Sequence, residues 1–205
     1  GWAVANGAGA CFTAAFGLTD SEDAQQQVIW GLIQYKDNSV KLPTGVTATE
    51  ATAAKIDLAL SKVAALNGFT VTTDKTKIEV SAAGVYAIKA EETGFTYKTA
   101  TAYVGFGEPY PTLTGAEVTA KKSPTSVDKT VADDDHVVAI GDIVTYTIEA
   151  YVPFIDAANT DNRTFTITDK ITGADYYLAG PNSVNSVTME GKDGQVGTIV
   201  VNEDG

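Results

Sequence analysis

The chain has 205 residues, 26 acidic against 14 basic side chains, a formal net charge of −12, one Cys and one His. Such an acid excess argues against a nucleic-acid binder that works through a basic surface. Cys11 alone cannot form an internal disulfide or join a Cys/His zinc cluster, and His136 alone would have to serve any Ser-His-Asp or Cys-His mechanism. The chain is therefore expected to be a non-enzyme without cofactor or metal.

In chain order, the N-terminal ten residues are small and uncharged, without the basic and apolar regions of a signal peptide. No stretch approaches the roughly 18 apolar residues of a membrane span, so no membrane insertion is expected. DSED at 20–23 supplies an N-cap and first-turn acids for a helix near 20–33, in which Val28, Ile29, Leu32 and Ile33 repeat at helical spacing. LPTG at 42–45 lies internally, one residue short of a sortase signal, and is read as a Pro-Thr-Gly turn. A second helix is expected near 49–67. Thr47 and Glu50 have capping-box spacing, Ile56, Leu60 and Val63 form its stripe, and Asn67-Gly68 stops it.

From Phe69 the period changes from helical to two. Runs at 77–80, 85–90, 95–106 and 117–121 read as strands between Gly-containing turns, and Ser123-Pro124-Thr125-Ser126 reads as a linker. Beyond it, 127–131, 143–152 and 163–171 are strand-like, with weaker strands near 186–189 and 196–201. The expected fold is mainly β, two tandem Ig-like β-sandwiches. The first covers 1–122 with helical insertions, 123–126 is the linker, and the second covers 127–205.

Strand parity singles out two charges. Side chains two apart share a face, so Lys129 lies with Val127 and Val131, and Asp169 with Phe165, Ile167 and Ile171. The strand between them puts Val144, Tyr146, Ile148, Ala150 and Val152 on one face and Glu149 on the other. Two opposite charges directed into one core should pair or neutralise. Burial lowers a lysine pKa and raises a carboxyl pKa, which would yield an amine nucleophile beside a neutral acid. Such an amine can attack an Asn carboxamide, expel ammonia and leave an intramolecular Lys–Asn amide. The plainer alternative is that Lys129 snorkels to water from a strand end and Asp169 caps the turn before Thr172-Gly173.

SVDKTV at 126–131, AIGDIVTYTIEAYVP at 139–153 and TFTITDKITG at 164–173 together resemble the isopeptide-forming D2 domain of Gram-positive fimbrial proteins. The resemblance covers roughly 124–178. It implies that Lys129 is the isopeptide lysine and Asp169 the assisting acid. The acceptor Asn of the family lies on a late strand. Here Asn182, Asn185 and Asn202 are the only late candidates, none in a convincing motif, and the expectation is that the acceptor lies outside the chain and the second domain is truncated. More loosely, GVYAIK at 84–89 and VTAKKS at 118–123 resemble the N-terminal domain of the same pilins, which makes Lys121 or Lys122 the lysine through which sortase would polymerise subunits.

The expectation from these readings is a structural subunit of a Gram-positive cell-surface pilus or adhesin, extracellular and attached to the cell wall. Its partners would be other pilin subunits, with a host glycan or matrix protein as a further class, and neither nucleic acid nor membrane. The alternative is a carbohydrate- or matrix-binding β-sandwich module of a secreted protein, with Trp2, Trp30 and the tyrosines as its platform. An accessory domain of a hydrolase would require a paired-carboxylate cleft, which the sequence does not offer. DDDH at 133–136 and DAANTDN at 156–162 read as solvated loops in preference to cation sites, NRT at 162–164 as an incidental sequon, and Cys11 as a small apolar filler.

Overall fold

The computed structural model describes residues 1–5, 7–132, 137–154, 164–176, 187–194 and 196–201. It divides into two compact units. The first comprises Gly1–Ser126 with Tyr151–Thr164, and the second comprises Val127–Ala150 with Phe165–Gly205. The described residues 151–154 and 164, expected in the second domain, thus belong to the first unit.

Three helices open the first unit: α1 (Ala8–Ala15), α2 (Glu22–Lys36) and α3 (Ala53–Val63). Helix α2 starts where its sequence directs. Ser21 accepts a hydrogen bond from the Ala24 N–H at 3.1 Å, Glu22 and Asp23 occupy the positive end of the helix dipole, and Lys36 occupies the negative end. Helix α3 starts later than its apparent capping box. Thr52, not Thr47, is the N-cap and accepts from the Lys55 N–H at 3.3 Å. It also ends earlier, at Val63, because the chain turns through Leu66 before it reaches Gly68.

Helix α1 is not apparent in the sequence. It is an Ala- and Gly-rich segment whose N-cap, Gly7, has a φ of 79° and no side-chain cap. Tertiary contacts hold it instead. Thr13 is fully buried and its hydroxyl donates to Asp20 Oδ1 at 2.9 Å, while Gln25 Nε2 donates to the same oxygen. Both bonds hold the Asp20 carboxyl below its ordinary pKa, the Gln25 bond most strongly.

The helical core gathers Ala15 of α1 and Phe16 at its end, Val28 and Leu32 of α2, and Ile56, Ala59 and Leu60 of α3, with Val85 and Ala87 packed against it. The i, i+4 pair on α2 and the i, i+3, i+4 set on α3 are the apolar stripes of amphipathic helices. Val85 and Ala87 belong to β1 (Gly84–Ile88), which pairs antiparallel with β3 (Ala100–Val104) from Gly84↔Val104 to Ile88↔Ala100.

The expected 95–106 strand is two strands. The first, β2 (Phe95–Tyr97), pairs with β4 (Lys122–Pro124), so Ser123 and Pro124, read as linker, are strand residues. Pro124 sits opposite Phe95 at the end of this short ribbon, a position that tolerates the missing donor. LPTG at 42–45 is a turn, with the Val46 N–H bonded to the Pro43 carbonyl at 3.1 Å and Gly45 at φ 78°.

In the second unit, β5 (Val127–Val131) pairs antiparallel with β6 (Tyr146–Ala150). The described residues contain three separate two-stranded antiparallel pairs, β1–β3, β2–β4 and β5–β6, and no two sheets stacked as a sandwich. Of the strands expected at 163–171 and 196–201, the described residues 164–171 and 196–201 form no named strand; the Val196 N–H bonds the Val187 carbonyl at 2.8 Å. No described side chain of this unit is buried. A two-stranded ribbon has too little interface to bury an apolar face by itself.

Gly31 provides a sharp test of the helical packing. A Cβ there would lie 1.9 Å from the Thr49 carbonyl oxygen, and backbone at that point is pinned by the Thr49 N–H bond to the Gln27 carbonyl. Helix propensity alone favours Ala over Gly by about 1 kcal/mol. Overpacking against backbone should reverse that sign. Gly31→Ala is expected to destabilise the first unit by about 2 kcal/mol in urea denaturation; a stabilised variant would show that this contact is slack.

Candidate functional site

The β5–β6 register supplies the first element of the site. Lys129 pairs with Ile148, Val127 with Ala150 and Val131 with Tyr146, so all six share one face of the ribbon. Asp128 faces Glu149 and Thr130 faces Thr147 on the other. Lys129 is therefore the one charged side chain on the ribbon's apolar face, the placement that parity implies, with Glu149 directed away from it.

The segment 164–176 supplies the second. Lys129 Nζ lies 2.9 Å from Asp169 Oδ1 and 2.8 Å from Asp169 Oδ2, across 40 residues of sequence. Gly173, at φ 80°, turns the chain after Asp169, a left-handed conformation suited to glycine. Tyr176 returns from that turn and its hydroxyl donates to Asp169 Oδ2 at 3.2 Å. The fourth member comes from β6: the Tyr146 ring centroid lies 4.5 Å from Lys129 Nζ, within cation–π range. The site is thus an ammonium held by a carboxylate and an aromatic face, with a phenol sharing the carboxylate's Oδ2.

Its electrostatics differ from the expectation of a neutral amine beside a neutral acid. The Lys129 side chain is 35% and the Asp169 side chain 26% exposed, so water still reaches the pair. The hydrogen bond from Lys129 outweighs burial and holds the Asp169 carboxyl below its ordinary range, with Tyr176 acting in the same direction. The hydrogen bond to Asp169 likewise raises Lys129 above the ordinary lysine value against the opposing effect of burial. Burial and the bond to Asp169 raise Tyr176, which keeps it a neutral donor. At neutral pH the pair is therefore an ion pair. The physical reason is that neutralisation needs desolvation to exceed pairing, and here pairing is the larger effect.

Neither aromatic partner follows from alternation in the sequence. Tyr146 could have been found from the β5–β6 register, since it lies diagonally across from Lys129. Tyr176 carries no such signal, because the turn at Gly173 determines where it lands. The second unit contributes three asparagines, Asn182, Asn185 and Asn202, and all three lie outside the described residues. So do 133–136, with His136, and the acidic loop 156–162.

The first unit repeats this construction around Lys122 on β4. Lys122 Nζ lies 4.1 Å from the Phe95 ring centroid and 3.8 Å from Glu92 Oε2, and the Tyr97 hydroxyl donates to the same Glu92 oxygen. That bond holds the Glu92 carboxyl low and the Tyr97 phenol high. Lys121 is exposed, and its backbone carbonyl accepts from the Lys98 N–H. Of the two lysines expected as linkage sites, only Lys122 thus has a carboxylate and a ring around its amine. Trp2 and Trp30 pack edge to face at 5.6 Å and are half-buried, whereas Phe106 and Tyr110 lie tilted to one another at 5.0 Å with at least half of each exposed.

Comparison of the chain with protein-family models, with curated proteins and with solved structures yields no match. Among the described residues there is no grouping of His, Cys, Asp and Glu that could hold a metal ion, and no helix is long and apolar enough to cross a membrane.

The ion pair makes stability pH-dependent in a defined window. Asp169, depressed on folding, contributes stability above its unfolded pKa that is lost as pH falls through the folded value. Lys129, raised on folding, contributes below its unfolded pKa and loses that contribution as pH rises through the folded value. Denaturation of the wild type and of Asp169→Asn over a pH series should show the largest gap between the ordinary Asp and Lys ranges, closing at both ends. A constant gap would show that the pair does not titrate as described.

Proposed function

We propose that the chain is part of a Gram-positive cell-surface pilus or adhesin whose second unit is stapled by an amide between Lys129 and an asparagine. The observation that carries this reading is the bidentate Lys129–Asp169 contact on the apolar face of β5, which strand parity and the resemblance of three segments both indicate. A structural lysine on a surface needs no such setting.

The ion pair is the unreacted state in this scheme. Exclusion of water from the face raises the cost of both charges, and the proton passes from Nζ to the Asp169 carboxylate. The free amine attacks the carboxamide carbon, the new C–N bond forms, and the old bond to nitrogen breaks. Asp169 returns the proton to the departing group. The net change is one ammonium and one primary carboxamide converted to one secondary amide and one ammonium ion, with no oxidant or cofactor. A protein without disulfide partners gains from this a covalent constraint on its unfolded chain comparable in kind to a disulfide. The Ig-like sandwich architecture belongs to the same proposal, since the β5–β6 face needs further strands against it to become dry.

Lys122 is the proposed linkage amine of the first unit. Its placement between Glu92 and Phe95 favours it over Lys121.

Intact mass of the protein with its natural flanking sequence tests the staple. A loss of about 17 Da, one ammonia, is expected in the wild type and is expected to vanish in Lys129→Ala and in Asp169→Ala. An unmodified wild-type mass would sink the proposal. For the linkage, branched peptides from protease-digested surface polymers should join through Lys122. Lys122→Ala should abolish the polymer ladder while Lys121→Ala leaves it, and the reverse pattern would transfer the assignment to Lys121.

A further inference from the structure

The hydrogen bond of Tyr176 and the ring of Tyr146 play no part in the proton and bond changes above, yet both meet the reacting pair. From this geometry we infer that Tyr176 and Tyr146 are positioning residues, Tyr176 holding the Asp169 carboxylate and Tyr146 holding the Lys129 amine so that the two stay face to face. The inference rests on the proposed Lys–Asn chemistry for its purpose, but its geometry stands independently.

The argument starts from freedom that must be removed. A lysine on β5 has four side-chain torsions and an aspartate has two, and a productive attack requires the amine at a near-attack distance from its target. A carboxylate bound only by a lysine can rotate and offer either oxygen. Tyr176 bonds Oδ2, the oxygen that Nζ meets at 2.8 Å, and with Oδ2 so held, Oδ1 also reaches Nζ at 2.9 Å. The Tyr146 ring, 4.5 Å from Nζ, attracts the ammonium to its face and favours its cationic form. The titratable groups facing the pair among the described residues are Tyr146 from β6 and Tyr176 from beyond the turn at Gly173, with the Lys170 backbone N–H also on the carboxylate.

The arrangement at Lys122 supports the assignment. There too a lysine amine lies over an aromatic ring and beside a carboxylate that accepts a tyrosine hydroxyl, with no residue shared between the two clusters. A phenol bonded to the carboxylate is common to both.

The test uses the full chain with its aspartate side-chain carboxyls labelled with carbon-13, and the Asp169 resonance identified by its loss in Asp169→Asn. In Tyr176→Phe, removal of the donor should move the Asp169 titration midpoint toward higher pH, because the carboxylate loses a stabilising bond. In Tyr146→Leu the Lys129 side-chain resonance should titrate at lower pH, whereas Tyr146→Phe, which keeps the ring, should retain most of the wild-type behaviour. In the wild type with its flanking sequence, the rate of ammonia loss should fall about tenfold in Tyr176→Phe, with its acid limb shifted toward higher pH. An Asp169 midpoint that does not move in Tyr176→Phe overturns the positioning role of Tyr176, and equal behaviour of Tyr146→Leu and wild type overturns that of Tyr146. If Tyr176→Phe does not fold, the Tyr146 pair of variants still decides its half. Absence of ammonia loss from the wild type overturns the functional reading instead, and the two titrations, measured on the unreacted pair, then decide the inference alone.

Discussion

A charge on the apolar face of a strand has to be answered by something. On β5 the answer to Lys129 is a carboxylate 40 residues further on, reached through both of its oxygens. The second unit is organised around that demand. The β5–β6 ribbon carries the lysine on the face of Ile148 and Tyr146, the turn at Gly173 allows Tyr176 to come back over Asp169, and the acid stands between the two. Without the pair, the partly exposed ammonium and carboxylate would each lose a charged partner and keep only water and the neighbouring tyrosines.

The two units balance their free energies differently. In the first, the helices bury a contiguous apolar cluster from Ala15 to Leu60, and the buried Thr13 hydroxyl has Asp20 as its partner. In the second, no described side chain is buried, and Val127, Ile143 and Tyr146 are each more than half exposed. Hydrophobic burial scales with the area removed from water, so the first unit has a core to hold it and the second relies on pairing and on whatever covers its face. This contrast is the physical setting in which a covalent staple would matter most, since a chain with little burial gains proportionately more from a restricted unfolded state.

The charge state of the pair is where local pattern and structure diverge. Parity alone predicts a dry interior, and a dry interior would neutralise both groups. With a quarter to a third of each side chain exposed, pairing prevails and both groups stay charged. The charge state of Lys129 thus depends on the water around the pair as well as on the two residues. The Lys122 cluster is more open still.

Much of this protein was legible before any coordinates. The Ser21 cap, the Pro43–Gly45 turn and the shared apolar parity of Lys129 with Val127 and Val131 all depend on neighbours within a few residues, which is the range over which local propensity operates. The strand period read from Phe69 onward was not legible in this way: residues 69–83, with the run at 77–80, contain no strand, and the first begins at Gly84. What lies beyond that range was decided by tertiary structure: an uncapped helix α1 held by Thr13 and Asp20, a strand at Lys122–Pro124 where composition suggests a linker, and the aromatic partners of the two lysines. Parity tells which way a side chain faces but not what meets it. Contact across 40 residues, and the solvent left around it, depend on how strands and turns are brought together, and those determine whether Lys129 is an ammonium or an amine.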